Sequence, residues 1–103
     1  MKEFSTPPDH VNFLAKKLFA EMGRIADGAI AYLEPSGGGP LTPHTHDHDH
    51  LFIVVEGEAK AVLDGKEVII RKNESFLVDG KTPHSVWNGA DVTTVMIGIS
   101  VKR

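Results

Sequence analysis

Cysteine is absent from this chain of 103 residues. Its absence excludes disulfide bonds, thiolate metal sites, iron–sulfur clusters and a thiol nucleophile. Basic residues are also scarce, because 11 lysine and arginine residues face 14 aspartate and glutamate residues, which gives a net charge of -3. A nucleic-acid-binding domain normally carries a basic surplus or a basic stripe. This sequence has neither, so we expect no nucleic-acid partner.

Long apolar runs are missing as well. The apolar run Leu51–Val55 is far too short to span a bilayer and no other run is longer, so we expect no membrane partner. The first eight residues lack the apolar core of a signal peptide, and we therefore expect a cytoplasmic protein. The glycine run at Gly37–Gly39 lacks the following Lys-Ser/Thr and helix of a phosphate-binding loop.

The length and composition fit one small globular domain. Apolar residues make up 41% of the chain and charged residues 24%, which are ordinary values. We expect an N-terminal arm over residues 1–27 and a β-barrel over residues 28–103. Within the arm, residues 9–22 fit either a helix or a short helix followed by an edge strand. The helix would be capped by Asp9. Its apolar stripe would be Val11, Leu14, Leu18 and Met22.

From Gly28 onwards the pattern is typical of strands. Short apolar segments recur about every ten residues and are separated by turn residues, which predicts an antiparallel sandwich or barrel. Asp64-Gly65 favours a type I′ hairpin, residues 35–40 indicate a loop, and Leu51–Val55 indicates a strand buried on both faces. The predicted strands are Ala29–Leu33, Leu51–Val55, Ala59–Leu63, Glu67–Ile70, Ser75–Val78, His84–Trp87 and Val92–Val101.

Histidine is the unusual feature of the sequence. Of six histidines, four fall between positions 44 and 50. His44 and His46 lie two apart, so on a strand they face the same way. His50 precedes the apolar run Leu51–Val55, and His84 begins another predicted strand after Thr82-Pro83. A first-row metal needs several neutral imidazoles that converge from different elements. A barrel can bring His84 to the other three, which predicts a metal site.

Other interpretations of the histidine tract stay open at this point. Alternating His and Asp can be a solvated tract or a weak adventitious metal site. His48 fits a rim residue, an acid or base in the pocket, or an alternative ligand. Asp47 and Asp49 fit either carboxylates that orient the ligand imidazoles or solvated turn residues. We expect His10 at the surface.

The histidines resemble the first sequence motif of the cupins, G-x5-H-x-H-x3-4-E-x6-G. Five residues fit its spacing, with His50 in the position of the glutamate: Gly38, His44, His46, His50 and Gly57. The second cupin motif, G-x5-P-x-G-x2-H-x3-N, is matched by His84 and Asn88. The sequence departs from this second motif at Asn73, Asp79 and Lys81, which stand where cupins have Gly, Pro and Gly.

The resemblance covers about residues 28–101 and implies a double-stranded β-helix, or jelly-roll, barrel. It also implies one metal ion bound at four positions: His44, His46, His50 and His84. Four neutral imidazoles leave a divalent ion with a charge of +2, whereas three imidazoles and a carboxylate leave +1. We therefore expect stronger attraction of anionic or enolisable ligands than at a carboxylate-containing site. Imidazole ligation does not choose among Mn, Fe, Ni, Cu and Zn.

Several apolar and aromatic residues are candidates for a substrate pocket around the metal or for ordinary core. They are Tyr32, Phe52, Phe76, Val86, Trp87 and Met96. The site indicates a metal-dependent enzyme of oxygenase, isomerase or lyase type acting on a small carbonyl- or enol-containing molecule. A binding or sensing module without turnover, and a barrel with a structural metal, are the alternatives. No catalytic residue is identified beyond His48 as a weak candidate.

A homodimer is expected, because a small barrel exposes edge strands that need cover. The N-terminal arm and the strand Ala29–Leu33 are the elements expected to supply that contact, and the resemblance to small cupins points the same way.

Overall fold

The architecture is a single antiparallel sheet of eight strands. The computed structural model describes residues 3–103 and places no helix in that range. The strands are β1 (Val11–Phe19), β2 (Ile25–His44), β3 (His48–Glu56), β4 (Glu58–Leu63), β5 (Lys66–Arg71), β6 (Ser75–Val78), β7 (His84–Asn88) and β8 (Thr94–Lys102).

The sheet curls into a nearly closed barrel. Its strands follow the order β5-β4-β7-β2-β8-β3-β6, and β1 pairs with β2 outside this path. The terminal strands β5 and β6 approach within 8 Å between Cα atoms. Buried side chains such as Leu33, Val54 and Met96 fill the interior. The prediction of an all-β barrel is thereby confirmed. Among residues 3–103, no helix is long and apolar enough to cross a membrane.

The predicted helix within residues 9–22 is wrong, because most of this segment forms β1. The strand pairs with β2 in a register that sets Leu14 opposite Tyr32. Side chains therefore alternate with a period of two, so that Phe13 is buried and Leu14 is half exposed. The open backbone edge of β2 offers hydrogen bonds to this segment, and such tertiary pairing overrides a helical apolar pattern.

The segment predicted as a loop, residues 35–40, lies inside the long strand β2. Up to Leu33 this strand pairs with β8, and from Gly38 it pairs with β7. Gly38 allows the change of partner, because a Cβ atom there would lie 2.7 Å from the Cα atom of Trp87 on β7. The glycines thus permit close backbone approach instead of ending the strand.

Two expectations about individual strands are corrected, and the hairpin is confirmed. Leu51–Val55 is not buried on both faces: Phe52 and Val54 point inward, whereas Val55 is 38% exposed. Residues 29–33 are not an edge strand either, because β1 and β8 bond them on both sides. Asp64 and Gly65 both have positive φ, as the predicted β4–β5 hairpin requires.

A buried polar network fixes the base of β7. The Asn88 side-chain amide donates hydrogen bonds to the carbonyls of Leu33 (2.9 Å) and Val92 (2.8 Å), and its oxygen accepts from the backbone N–H of Ala90 (2.7 Å). The Thr94 hydroxyl lies 2.9 Å from the same oxygen. Because every polar atom of this amide is satisfied, Asn88 holds β2, β7 and β8 in a fixed arrangement. Its hydrogen bonds join these strands and do not involve the histidines.

Candidate metal centre

The register of β2 and β7 brings histidines from distant parts of the chain together. His44, the last residue of β2, lies directly opposite His84, the first residue of β7. His46 follows two residues after His44, and its backbone N–H donates to the Gly80 carbonyl at 2.7 Å. That bond holds the tract after β2 against the turn that leads into β7. The convergence predicted from the sequence is therefore present.

The imidazole rings form one compact cluster. The His44 ring centroid lies 4.1 Å from that of His46 and 5.0 Å from that of His84. His50, on β3, lies 4.7 Å from His46 and 5.6 Å from His84 by the same measure. His48 stacks on His46 at 4.7 Å, with ring planes 12° apart. Five histidines from three segments of the chain thus share one site.

Two overlapping groups of three histidines have a spacing that can hold a metal ion. One ring nitrogen each from His44, His46 and His84 lie within 4.8 Å of one another. The same holds for His46, His48 and His50. The first group brings together three of the four histidines predicted as ligands from the sequence. The second group brings His50 next to His48 as well as to His46.

Two buried ring nitrogens in this cluster indicate that it can bind a ligand. The Nε2 atoms of His46 and His84 are buried and have no hydrogen-bond partner among the described residues. At His84 the other nitrogen, Nδ1, donates to the Thr82 carbonyl at 2.8 Å. This bond leaves the Nε2 lone pair free, as a metal ligand requires. Buried polar atoms are rarely left unpaired, and a divalent ion would satisfy both.

Burial and mutual repulsion favour the neutral form of three histidines: His44, His46 and His50. Burial, with repulsion from His44 and His48, lowers the pKa of His46 to about 4. Burial, with repulsion from His46 and His48, lowers the pKa of His50 to about 3. Burial, followed by repulsion from His84, also lowers the pKa of His44. Imidazoles that stay neutral well below pH 7 have lone pairs available for a metal.

One of the two roles open for Asp47 and Asp49 was to orient the ligand imidazoles, but the contacts of Asp49 are with other groups. Asp49 accepts a hydrogen bond from the Gly80 backbone N–H (3.0 Å) and pairs with Arg103 (2.9 Å). These contacts lower the pKa of Asp49 and tie the C-terminus to the turn before β7. Asp47 lies 3.4 Å from Nδ1 of His48, which is not one of the four predicted ligands. The partner of His84 is instead a backbone carbonyl.

A cavity of about 360 Å³ opens on the histidines. Three of the six predicted pocket residues line it: Phe52, Val86 and Met96. The other three do not. Tyr32 is 39% exposed and contacts Phe4 edge-to-face at a 5.5 Å centroid distance. The Trp87 indole donates to the Ser85 hydroxyl at 3.0 Å, and Phe76 packs against the core from β6. Strand parity turns Tyr32 and Trp87 away from the interior, whereas Phe76, opposite Phe52, packs into the core outside the cavity.

His10 is a cavity residue that the sequence analysis placed at the surface. It lines the cavity together with Pro7, and its ring lies edge-to-face against Phe13 at 4.6 Å. His10 is half-buried at the mouth of the cavity, so the expectation of a surface residue holds only in part. No local pattern marks His10, because its place depends on β1 pairing with β2 and carrying the preceding residues to the mouth of the barrel.

Removing a predicted ligand should release metal without unfolding the barrel. We expect His44→Ala and His84→Ala to lower metal affinity more than about a hundredfold, since even loss of an outer-shell partner costs 10- to 100-fold. Elemental analysis and circular dichroism after dialysis measure the two effects. His10→Ala, which removes a histidine outside the cluster, is the matched control and should retain metal. Wild-type metal content in either ligand variant would refute the assignment.

The metal-free protein should lose stability on mild acidification. His46 and His50 take up protons at about pH 4 and 3 when folded but near 6.5 when unfolded. Below pH 6.5 the unfolded state therefore binds more protons, so the free energy of unfolding falls as the pH is lowered and is unaffected by these groups above pH 7. Thermal unfolding between pH 7 and 5 measures this slope. The double variant His46→Gln/His50→Gln should flatten it, and an unchanged slope would contradict the prediction.

Comparison with known proteins agrees with this geometry. Residues 29–101 match the cupin domain family, Cupin_2. Auxin-binding protein 4 of Zea mays is 27% identical over 94 residues, which cover 79% of this chain and 46% of that protein. This chain therefore spans about half the length of that curated relative.

Solved structures share the fold at low identity. The polyketide cyclase RemF from Streptomyces resistomycificus superposes with a TM-score of 0.79 at 20% identity, covering 100% of this chain and 74% of that one. A predicted oxalate decarboxylase from Thermotoga maritima superposes with a TM-score of 0.77 at 12% identity, covering 99% and 94%. At such identities the likeness concerns the fold alone.

Proposed function

The chain belongs to the cupin family, and from this premise we propose that it is a metal-dependent enzyme acting on a small carbonyl- or enol-containing molecule. The observation that carries the proposal is the pair of buried, unpartnered Nε2 atoms of His46 and His84 beside a cavity. His44, His46 and His84 would hold one divalent transition-metal ion, with His50 as the fourth ligand. Mn, Fe, Ni, Cu and Zn are the candidate ions.

The cluster and the apolar residues beside it suit a ligand whose carbonyl or enol oxygen faces the histidines. A bound divalent ion supplies Lewis acidity, which polarises a carbonyl oxygen and favours the enolate form. Phe52, Val86 and Met96 line the cavity with apolar surface. They would exclude water and strengthen electrostatic interactions within the site. Four neutral imidazoles do not offset the charge of the ion as a carboxylate would, and this favours an anionic oxygen on the ligand.

A binding or sensing module without turnover is the second candidate, and one contact favours it. Asp27 is the carboxylate among the described residues that line the cavity, and it is paired with Lys17 at 3.6 Å. The cavity thus offers no unpaired carboxylate as a general base. The ring centroid of His48 lies 4.7 Å from that of His46 and 5.0 Å from that of His50. The His48 imidazole is therefore the candidate for proton transfer. The maize relative is named for binding auxin, which agrees with a binding role.

Turnover by the metal-loaded protein separates the two candidates. Protein purified without a metal-affinity tag, assayed with a panel of enolisable ketones and acids, should convert at least one compound in a metal-dependent manner. His84→Ala should abolish conversion. His48→Gln should reduce conversion about 10²- to 10⁴-fold, the usual worth of a general acid or base, and leave metal content intact. Tight ligand binding with no conversion of any compound by wild-type protein would contradict the enzyme and favour the sensor.

We further propose that two copies associate through the outer face of β1. Leu14 and Leu18 lie four apart on this strand and are 50% and 45% exposed. Phe4 and Tyr32 extend the same apolar patch, with ring centroids 5.5 Å apart. Exposed apolar patches of this kind typically mark interaction surfaces. This placement replaces the edge contact through residues 29–33, because that segment is paired on both sides.

Light scattering tests the homodimer. We expect twice the chain mass at tens of micromolar protein, and a monomer for the variant Leu14→Glu/Leu18→Glu, because charges on both sides of the interface would repel. Val92→Glu, at an apolar residue 57% exposed elsewhere on the barrel, is the matched control and should remain dimeric. A monomeric mass for the wild-type protein would refute the proposal.

A further inference from the structure

A short segment before β1, residues 7–10, forms a strap across the mouth of the cavity. Its Asp9 carbonyl accepts a hydrogen bond from the Leu41 N–H at 2.9 Å, and the Asp9 carboxylate accepts from the Thr42 N–H at 3.2 Å. Pro7 and His10 of the strap line the cavity. Both lie outside the part of the chain that matches the cupin family, residues 29–101. The strap is therefore a contribution of this chain beyond the matched domain.

The His10 ring is held in place from several sides. Its Nδ1 atom lies 2.7 Å from the Pro8 carbonyl, which can only accept a hydrogen bond. Nδ1 therefore donates, and Nε2 is the nitrogen left to accept a bond from a ligand. Phe13 packs against one side of the ring. On another side, a Cβ atom at Gly39 would lie only 2.8 Å from Cγ of His10. The ring is thus preorganised, which lowers the cost of binding a ligand.

The remaining lining of the cavity limits what can bind. Besides histidines, its side chains that can hydrogen-bond are Asp27 and Ser100, and Asp27 is already paired with Lys17. Among the described residues, no lysine or arginine lines the cavity. A volume of about 360 Å³ corresponds to roughly a dozen water molecules at ~30 Å³ each. The cavity thus fits a compact, mainly apolar molecule and offers no cation for a phosphate or a second carboxylate.

We infer that His10 is a specificity-determining residue for the ligand of this site. Through Nε2 it accepts a hydrogen bond from a hydroxyl or N–H group of a small, mainly apolar molecule. The anionic or enol oxygen of that molecule faces the histidine cluster. This inference rests on the proposed function, because it takes the cluster to bind a metal and the cavity to bind the ligand. It adds the class of ligand and the residue that selects it.

Matched ligands separate the role of His10 from a structural one. Isothermal titration of zinc-loaded protein with benzoate, 3-hydroxybenzoate and 4-hydroxybenzoate compares ligands that differ only in a hydroxyl group. His10→Phe keeps an aromatic ring against Phe13 but removes the acceptor, and His10→Gln supplies an amide oxygen as a substitute acceptor. Tyr32→Phe removes a hydroxyl that does not line the cavity and is the control. Metal content of each protein is measured separately.

We expect wild-type protein and Tyr32→Phe to bind at least one hydroxybenzoate about three- to tenfold more tightly than benzoate, the usual effect of one hydrogen bond. His10→Phe should bind all three equally at unchanged metal content, and His10→Gln should recover part of the preference. A preference retained by His10→Phe would overturn the inference. So would a wild-type protein that binds zinc but none of the three ligands. Failure of wild-type protein to bind any of the five candidate ions would instead overturn the proposed function on which the inference rests.

Discussion

The pairing of His44 with His84 across β2 and β7 is the constraint on which the site depends. It exists only because β2 leaves β8 after Leu33 and joins β7 from Gly38 onwards, where the absent side chain lets the two backbones meet. Asn88 then holds the base of β7 through buried hydrogen bonds to the neighbouring strands. The barrel thereby places imidazoles from distant parts of the chain side by side and buries two of their nitrogens without a partner among residues 3–103.

That arrangement costs the metal-free protein stability. An unpaired buried nitrogen forfeits its hydrogen bonds to water, at a cost of about 1–3 kcal/mol in proteins. The lowered pKa values of His46 and His50 report the same burial and the same crowding of rings. A site that binds a cation would relieve both penalties at once, because the lone pairs become ligands. The burial that lowers these pKa values would therefore also favour the binding of a cation.

Much of the barrel and the centre of the site follow from local pattern. The spacing of His44 and His46 and the Asp64-Gly65 turn are properties of neighbouring residues, so the sequence predicts them. The strand β1 and the position of His10 depend on which edge of the sheet is left open, which no local pattern contains. Strand parity explains the pocket residues, since Phe52 and Met96 turn inward, whereas Tyr32 turns outward. Prediction thus succeeds where contacts are local and fails where register decides.

The most direct measurement is a crystal structure of the metal-loaded protein with anomalous data collected at the absorption edge of the bound metal. We expect a single ion with imidazole nitrogens of His44, His46, His50 and His84 at about 2.0–2.2 Å. An ion bound by His46, His48 and His50 while the His84 ring stays unligated would contradict the central role of the β2–β7 pairing. Absence of any ion from the cluster would contradict it as well.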